Sequence, residues 1–213
     1  MRTNLGLGLS LLLMATSEAA VCGAHDDILV AARQDRTDET VAYLRQGMDP
    51  DTSDAAGTTL LMTAASNGNV PLVEFLLRMR ANLRKNNRFG ESALALAALN
   101  GHDDVVRILV EAGAQINSSG WGALHYAVFN GHAEIVRYLI EKGGDVNARA
   151  PNRQTPLMLA ARNGYGNIVR ILLTSGANPN LGDLEGNTAF GVAQKAGNHE
   201  IAGLLHASAS SGR

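Results

Sequence analysis

RQTPLMLAARNG, residues 153–164, is the stretch that decides the fold, because closely similar segments recur along the chain. One copy begins at Gly57 and reads GTTLLMTAASNG, and the next begins 33 residues later at Gly90 and reads GESALALAALNG. Another copy, GWGALHYAVFNG, begins only 30 residues further on at Gly120, and a shorter one begins at Gly186. A recurring spacing of this size indicates an array of repeated structural units.

Each copy carries the signals of a short helix that is closed by a turn. One column holds residue types that favour a helix N-cap, where a side-chain oxygen can accept from the free N–H groups of the first turn: Asp26, Thr59, Ser92, Gly122, Thr155 and Thr188. A glycine then stands where a left-handed residue ends the helix: Gly68, Gly101, Gly131, Gly164 and Gly197.

The segment after each copy predicts a second helix. Apolar residues spaced i, i+1, i+4 and i+5, as in Leu72, Val73, Leu76 and Leu77, share one helix face and do not match strand alternation. A second glycine column closes these helices: Gly47, Gly113, Gly143 and Gly176. Arg80 interrupts this column and is expected to cost about 1 kcal/mol if its backbone is left-handed.

These residues resemble ankyrin repeats, whose consensus G-x-T-P-L-H-x-A-A is followed by N-G-H and a second apolar helix. The resemblance covers residues 25–207 and implies an all-α fold, an α-solenoid of about six helix-loop-helix units with projecting β-hairpins or turns. The expected units are 24–56, 57–89, 90–119, 120–152, 153–185 and 186–207, followed by a disordered tail at 208–213. The segment at 116–119 is three residues short, which predicts a blunted hairpin tip.

Residues 1–24 are predicted to be a secretory signal peptide. Arg2 precedes an apolar run at 5–14, and small residues provide two candidate cleavage sites, after Ala19 and after Ala24. A disordered or interfacial N-terminus is the alternative. Cys22 offers a lipoprotein anchor as a minor alternative, against which the large Val21 argues. The expected location is therefore periplasmic or secreted.

Composition and motifs speak against most chemical functions. The net charge of −2 gives no support for nucleic-acid binding, and no stretch after the N-terminus has the apolar length of a membrane span. The repeat region contains no H-E-x-x-H, no G-x-S-x-G, no phosphate-binding loop and no Cys–His pair. We therefore predict no catalytic residues, no metal and no cofactor.

The histidines have structural explanations. The resemblance implies that His125, at the histidine of the consensus, hydrogen-bonds backbone between neighbouring units. His102, His132 and His199 are assigned to one column after the inter-helix glycine, where stacking would separate neighbours by about 10 Å, too far to share a metal. We expect these three to be solvated or to act as caps.

The variable columns of the first helices predict the binding surface, because the ankyrin resemblance implies recognition through the concave helix face and the hairpin tips. The candidate partner-binding residues form an apolar and aromatic strip bordered by basic residues: Leu96, Leu99, Tyr126, Phe129, Leu159 and Arg162. Trp121, Leu124 and His125 are assigned instead to the architecture of the repeat. The alternative is that the strip merely packs against the hairpins.

The expected function is a non-catalytic, monomeric interaction module that binds a protein partner. An exported ankyrin array without a catalytic domain resembles the small ankyrin proteins of the bacterial periplasm. Two alternatives stay open: a structural or stabilising accessory to another exported protein, and, with less support, an enzyme or metal protein. Fold alone does not identify the partner.

Overall fold

The computed structural model describes residues 23–118 and 120–210 and shows helices joined by turns. Residues 1–22 of the predicted signal peptide, with Cys22, lie outside the described residues. The helices form consecutive pairs: α1 (23–33) with α2 (Thr37–Arg45), α3 (Leu60–Asn67) with α4 (Val70–Arg78), α5 (Ala93–Asn100) with α6 (Asp103–Glu111), α7 (Ala123–Phe129) with α8 (Ala133–Glu141), α9 (Pro156–Asn163) with α10 (Gly166–Thr174), and α11 (Ala189–Lys195) with α12 (His199–Ser210). The predicted solenoid of about six helix pairs is confirmed.

Neighbouring pairs stack chiefly through their first helices. α5 contacts both α3 and α7, and α9 contacts both α7 and α11, more extensively than the second helices contact one another. Paired alanines permit this close approach because their side chains are small. All of them are fully buried: Ala64, Ala65, Ala97, Ala98, Ala160 and Ala161. The closer spacing of the first helices curves the array towards them, so the first helices line the concave face.

One continuous apolar core runs through the described pairs. None of the described helices combines the length and the apolarity that crossing a membrane requires. The hairpins between pairs contain little regular strand: within the described residues, the recorded pairing is a single antiparallel bridge between Ser53 and Thr59.

The predicted N-caps are confirmed at most positions. The side chains of Thr59, Ser92 and Thr155 accept from the N–H three residues on, at 3.2, 3.2 and 3.3 Å. Asp26 was predicted in the same column, and that prediction is wrong, because α1 is already helical at Gly23. In the other units the cap residue has an extended backbone, which a residue inside a helix cannot adopt.

The C-terminal boundary also differs from expectation. α12 continues to Ser210, three residues into the segment predicted as a disordered tail. Alanine has the highest helix propensity, and Ser208 returns a hydrogen bond to the carbonyl of Leu205 at 2.9 Å. These two features extend the terminal helix beyond the apolar pattern that marked its expected end.

Left-handed residues stand where the glycine columns predict them. The glycines that close the first helices have φ between 72° and 80°, and those that close the second helices have φ between 88° and 100°. Arg80, which interrupts the second column, is also left-handed with φ 62°. The fold therefore imposes this conformation even on a residue with a β-carbon.

The inter-helix glycines meet a second constraint, the close approach of the next unit. A β-carbon on Gly101 would lie 2.5 Å from the ring of His132, and one on Gly68 would lie 2.5 Å from the ring of His102. Each ring donates from Nε2 to a carbonyl of the preceding unit, at 2.9 Å for His102 to Ser66 and 3.0 Å for His132. The capping role predicted for these two histidines is confirmed.

His199 does not belong to this column, contrary to the sequence-based assignment. Asn198 occupies the position directly after Gly197 and donates to the carbonyls of Ala161 and Arg162 at 2.8 and 2.9 Å. His199 lies one residue further on and is exposed. The column is filled in turn by Asn69, His102, His132, Tyr165 and Asn198.

The close approach at Gly101 predicts a larger stability loss than backbone strain alone would cause. Gly113→Ala, where φ is 90° and no atom lies within 4 Å of the added carbon, is expected to cost about 1–2 kcal/mol. Gly101→Ala is expected to cost about 1–3 kcal/mol more, because the methyl group displaces His132. Urea unfolding of the two variants measures the difference, and equal losses would contradict the steric constraint.

Replacing the left-handed arginine should stabilise the protein. Arg80→Gly removes a left-handed β-carbon, and we expect the free energy of unfolding to rise by about 0.5–1 kcal/mol. Arg80→Ala is the control, because it removes the charge and keeps the strain, so it should shift stability by less than about 0.5 kcal/mol. A similar gain in both variants would assign the effect to the arginine charge.

Candidate functional site

The predicted strip lies on the concave face, with one exception. Phe129 is 39% exposed, and Leu96, Leu99 and Tyr126 are half-buried. Leu159 is 0% exposed and belongs to the core, so its inclusion among the partner-binding residues is wrong. α9 is packed on both sides by α7 and α11, and the aliphatic side chain of Leu159, which has no polar end, is enclosed between these helices. Arg162, one helical turn further on, remains half-buried.

Trp121 joins the strip instead of serving only the repeat architecture. The centroid of its indole lies 5.4 Å from that of Tyr126 and 5.8 Å from those of Phe129 and His125. Tilted and edge-on arrangements at these distances are the favoured geometries of aromatic pairs. Trp121, Tyr126 and Phe129 therefore form one partly exposed surface, hereafter the aromatic cluster.

The shortened connecting segment explains why Trp121 reaches this position. The other hairpins close their tips with a turn: Gly57 N–H to Asp54, Gly90 to Asn87, Arg153 to Ala150 and Gly186 to Asp183, at 2.7–3.1 Å. The described residues of 112–122 form no equivalent turn. The predicted blunting is thus observed, and the indole covers the helix face beside the missing tip.

Tyr126 is anchored from the neighbouring unit. Its hydroxyl donates to Oε1 of Glu91 at 3.3 Å, and Oε2 of Glu91 accepts from the side-chain amide of Asn87 at 2.8 Å. Burial, followed by the charge and the hydrogen bond of Glu91, raises the pKa of Tyr126 to about 12. The phenol therefore stays protonated at neutral pH, with its ring held in the aromatic cluster.

His125 lies below the aromatic cluster and is only 1% exposed. Its Nδ1 accepts from the Gly122 N–H at 3.3 Å, which satisfies a helix start that has no capping side chain. Burial lowers the pKa of His125, although backbone groups of Gln154 and Ala148 and the charge of Asp145 oppose the shift. A buried neutral imidazole with this role is structural.

A row of asparagines that was absent from the predicted site residues fixes the position of the strip. The amides of Asn100, Asn130 and Asn163 donate to Ser66, Leu99 and Phe129, at 3.0, 2.6 and 2.9 Å. Each bond joins the end of one first helix to the end of the preceding one. The recurring Asn-Gly pair was the signal that could have revealed them.

The titratable residues that the structure describes do not form a metal site. Within 23–118 and 120–210, no group of three His, Cys, Asp or Glu side chains lies close enough to hold an ion. Paired acidic residues such as Asp103 and Asp104 occupy the first turn of α6, where negative charge complements the helix dipole.

Comparison with known proteins matches the whole array to one family. A family model described as ankyrin repeats matches in three copies, at residues 28–120, 80–150 and 124–211. Similar curated proteins include cortactin-binding protein 2 of Plecturocebus moloch, 39% identical over 97 residues, and of Mustela putorius furo, 40% identical over 95 residues. These alignments cover 45% and 44% of this chain and only 6% of each relative. The chain therefore shares a repeat segment with them.

The raised pKa of Tyr126 predicts a stability contribution that is lost at high pH. The unfolded phenol ionises near its model value of 10.0 and the folded one near 12, so the contribution is complete below pH 10 and disappears as the pH rises to about 12. Stability should therefore differ between the parent protein and Tyr126→Phe by a constant amount below pH 10, and the difference should shrink above it. Urea unfolding across this range, with tyrosinate absorbance as the second readout, provides the measurement. A difference that does not change with pH would contradict the raised pKa of Tyr126.

Proposed function

This chain belongs to the ankyrin-repeat family, and we propose that it is an exported, non-catalytic module that binds a protein partner on its concave face. The aromatic cluster is the observation that carries the proposal. Three aromatic side chains meet at one partly exposed surface, and the rims of the strip are Leu96 and Leu99 on one side and Arg162 on the other. Aromatic residues and arginine are the types enriched at protein–protein interfaces.

The rigidity of this surface also favours binding. Tyr126 is held by Glu91, and the backbone beneath Phe129 is held by Asn163. A side chain that is ordered before binding loses less conformational entropy when the partner arrives. Burial of each aromatic ring therefore contributes more to the free energy of binding than burial of a mobile ring would.

The relatives agree with a binding role in general terms only. They are named as cortactin-binding proteins, so a protein with a similar repeat segment carries a name that describes protein binding. The shared segment is 6% of their length, so cortactin is not assigned as a partner of this chain. The proposal rests on the aromatic cluster and on the family.

Export is tested through the N-terminus of the protein from its native source. The positive start, the apolar run and the small residues near Ala19 lead us to expect a new N-terminus between Ala20 and His25. Mass spectrometry of the intact protein measures this. A retained Met1 would refute export, and a diacylglycerol on Cys22 would support the lipoprotein alternative.

Partner binding is tested by truncating the aromatic cluster. The double variant Tyr126→Ala with Phe129→Ala is expected to weaken partner capture at least about tenfold, because truncating desolvated aromatic anchors often costs about 2 kcal/mol or more. The measurement is affinity capture from the native compartment, with quantitative mass spectrometry of the recovered proteins.

A matched control separates binding from folding. Tyr43→Ala with Phe75→Ala removes the same two residue types from half-buried positions on the second helices α2 and α4, and we expect capture to persist. Circular dichroism checks that both variants retain their helices. If the Tyr126 and Phe129 double variant captures the partner as well as the Tyr43 and Phe75 double variant does, the concave strip is not the binding surface.

A further inference from the structure

Charge changes sign along the row of segments that connect the helix pairs. The segment at 46–59 contains three aspartates and no basic residue, and the segment at 79–92 contains four basic residues against Glu91. The short segment at 112–122 carries no charge. The segment at 142–155 has three basic residues against one aspartate, and the segment at 175–188 has one aspartate and one glutamate. The row therefore has acidic ends and two basic segments around a neutral centre.

Three arginines of the two basic segments have no acidic partner in the part of the chain that the structure describes. Within the described residues, Arg84, Arg88 and Arg153 form no ion pair, whereas Lys85 in the same segment lies 3.8 Å from a carboxylate oxygen of Asp51. Arg84 and Trp121 line one small cleft of about 40 Å³ beside the shortened segment. Positive charge and the aromatic cluster are thus neighbours on one surface.

An exposed aromatic side chain extends this surface on one side. Phe89, at the tip of the preceding hairpin, is 66% exposed, and the guanidinium of Arg88 lies 4.8 Å from the centroid of its ring. The described residues of 112–122 form no hairpin turn, so the hairpins that carry Phe89 and Arg153 flank a shorter connecting segment. We call the surface between these two hairpins, together with the aromatic cluster of Trp121, Tyr126 and Phe129, the notch; Trp121 also lines the cleft beside Arg84.

The charge pattern opposes self-association through the row. If two copies met in the same direction, each charged segment would face the same segment of the other copy, which carries the same charge. If they met in opposite directions, the acidic ends would face each other, and so would the two basic segments. Like charges that meet across an interface cost several kcal/mol, so a second copy does not fit.

We propose that the notch binds an extended, acidic segment of the protein partner, with carboxylates on both sides of one aromatic or large apolar residue. This inference rests on the proposed function and names the chemical class of the partner. The two basic segments are two units apart, which corresponds to about 20 Å at about 10 Å per unit. An extended chain rises about 3.3 Å per residue, so the two acidic groups should stand about six residues apart.

A defined peptide tests this geometry on the full chain. The probe carries a pair of glutamates at each end, one central phenylalanine and serine-glycine spacers that separate the pairs by about six residues. Calorimetry gives the affinity. Emission from Trp121 gives the location, because it is the only tryptophan of the chain and lies in the notch. We expect binding with a change in emission, and binding that weakens as salt is added.

Two control peptides, one test variant of the protein and one control variant complete the design. Lysine in place of the glutamates, or glycine in place of the phenylalanine, should each weaken binding at least about tenfold. Arg84→Glu with Arg153→Glu should have a similar effect. Arg137→Glu with Arg170→Glu makes the same charge change at exposed positions of α8 and α10, and should change affinity less than about twofold.

The outcomes separate this inference from the proposed function. The inference is overturned if the acidic peptide does not bind, if the lysine peptide binds as well, or if both double variants lose affinity equally. The proposed function still stands in these cases if capture of the native partner depends on Tyr126 and Phe129. The inference and the proposed function are both supported if the acidic peptide competes with that partner for binding and the lysine peptide does not.

Discussion

The close approach of three successive units to the inter-helix glycine of the preceding one, at Gly68, Gly101 and Gly131, is the constraint on which the rest of the structure depends. At Gly101 the ring of His132 occupies the space of a β-carbon, and the same ring donates to the carbonyl of Leu99. Asn130 donates to that carbonyl as well, so two side chains of one unit meet the helix end of another. Each unit of an array contacts only its neighbours, and this junction sets the distance between neighbouring units.

The same constraint explains how the chain can lose three residues without losing its register. The bonds from Asn130 and His132 cross the junction that contains the shortened segment, and α7 contacts α5 as extensively as α5 contacts α3. The deficit is therefore confined to the projecting hairpin. What changes is the surface, where Trp121 covers a helix face beside a tip that is missing.

The sequence was sufficient to predict features that depend on local chemistry. N-caps such as Thr59, the left-handed glycines and the blunted third hairpin each follow from residue type and spacing, and each is observed. Features that depend on neighbouring units were not predictable in the same way. Leu159 and Tyr126 occupy the same column, yet one is enclosed and the other partly exposed, because enclosure depends on the side chains of adjacent helices. The position of the Trp121 ring likewise depends on the path of a segment that has no counterpart in the other units.

Charged connecting segments pair with their neighbours, and this pairing leaves positive charge without an acidic neighbour on one surface. Acidic and basic segments lie side by side at the N-terminal end of the row, where Asp51 pairs with Lys85 and also accepts from the backbone of Asn82 at 2.8 Å. Screening in physiological salt has a range of about 8 Å, so a segment is affected mainly by its direct neighbours. Each basic segment has an acidic neighbour on its outer side and the uncharged segment at 112–122 on its inner side. The positive potential is therefore least compensated by neighbouring segments over the notch, although the Glu91 carboxylate accepts from Tyr126 there. The shortened segment places the aromatic cluster next to arginines that have no ion pair in the described residues, with Arg84 and Trp121 lining one cleft.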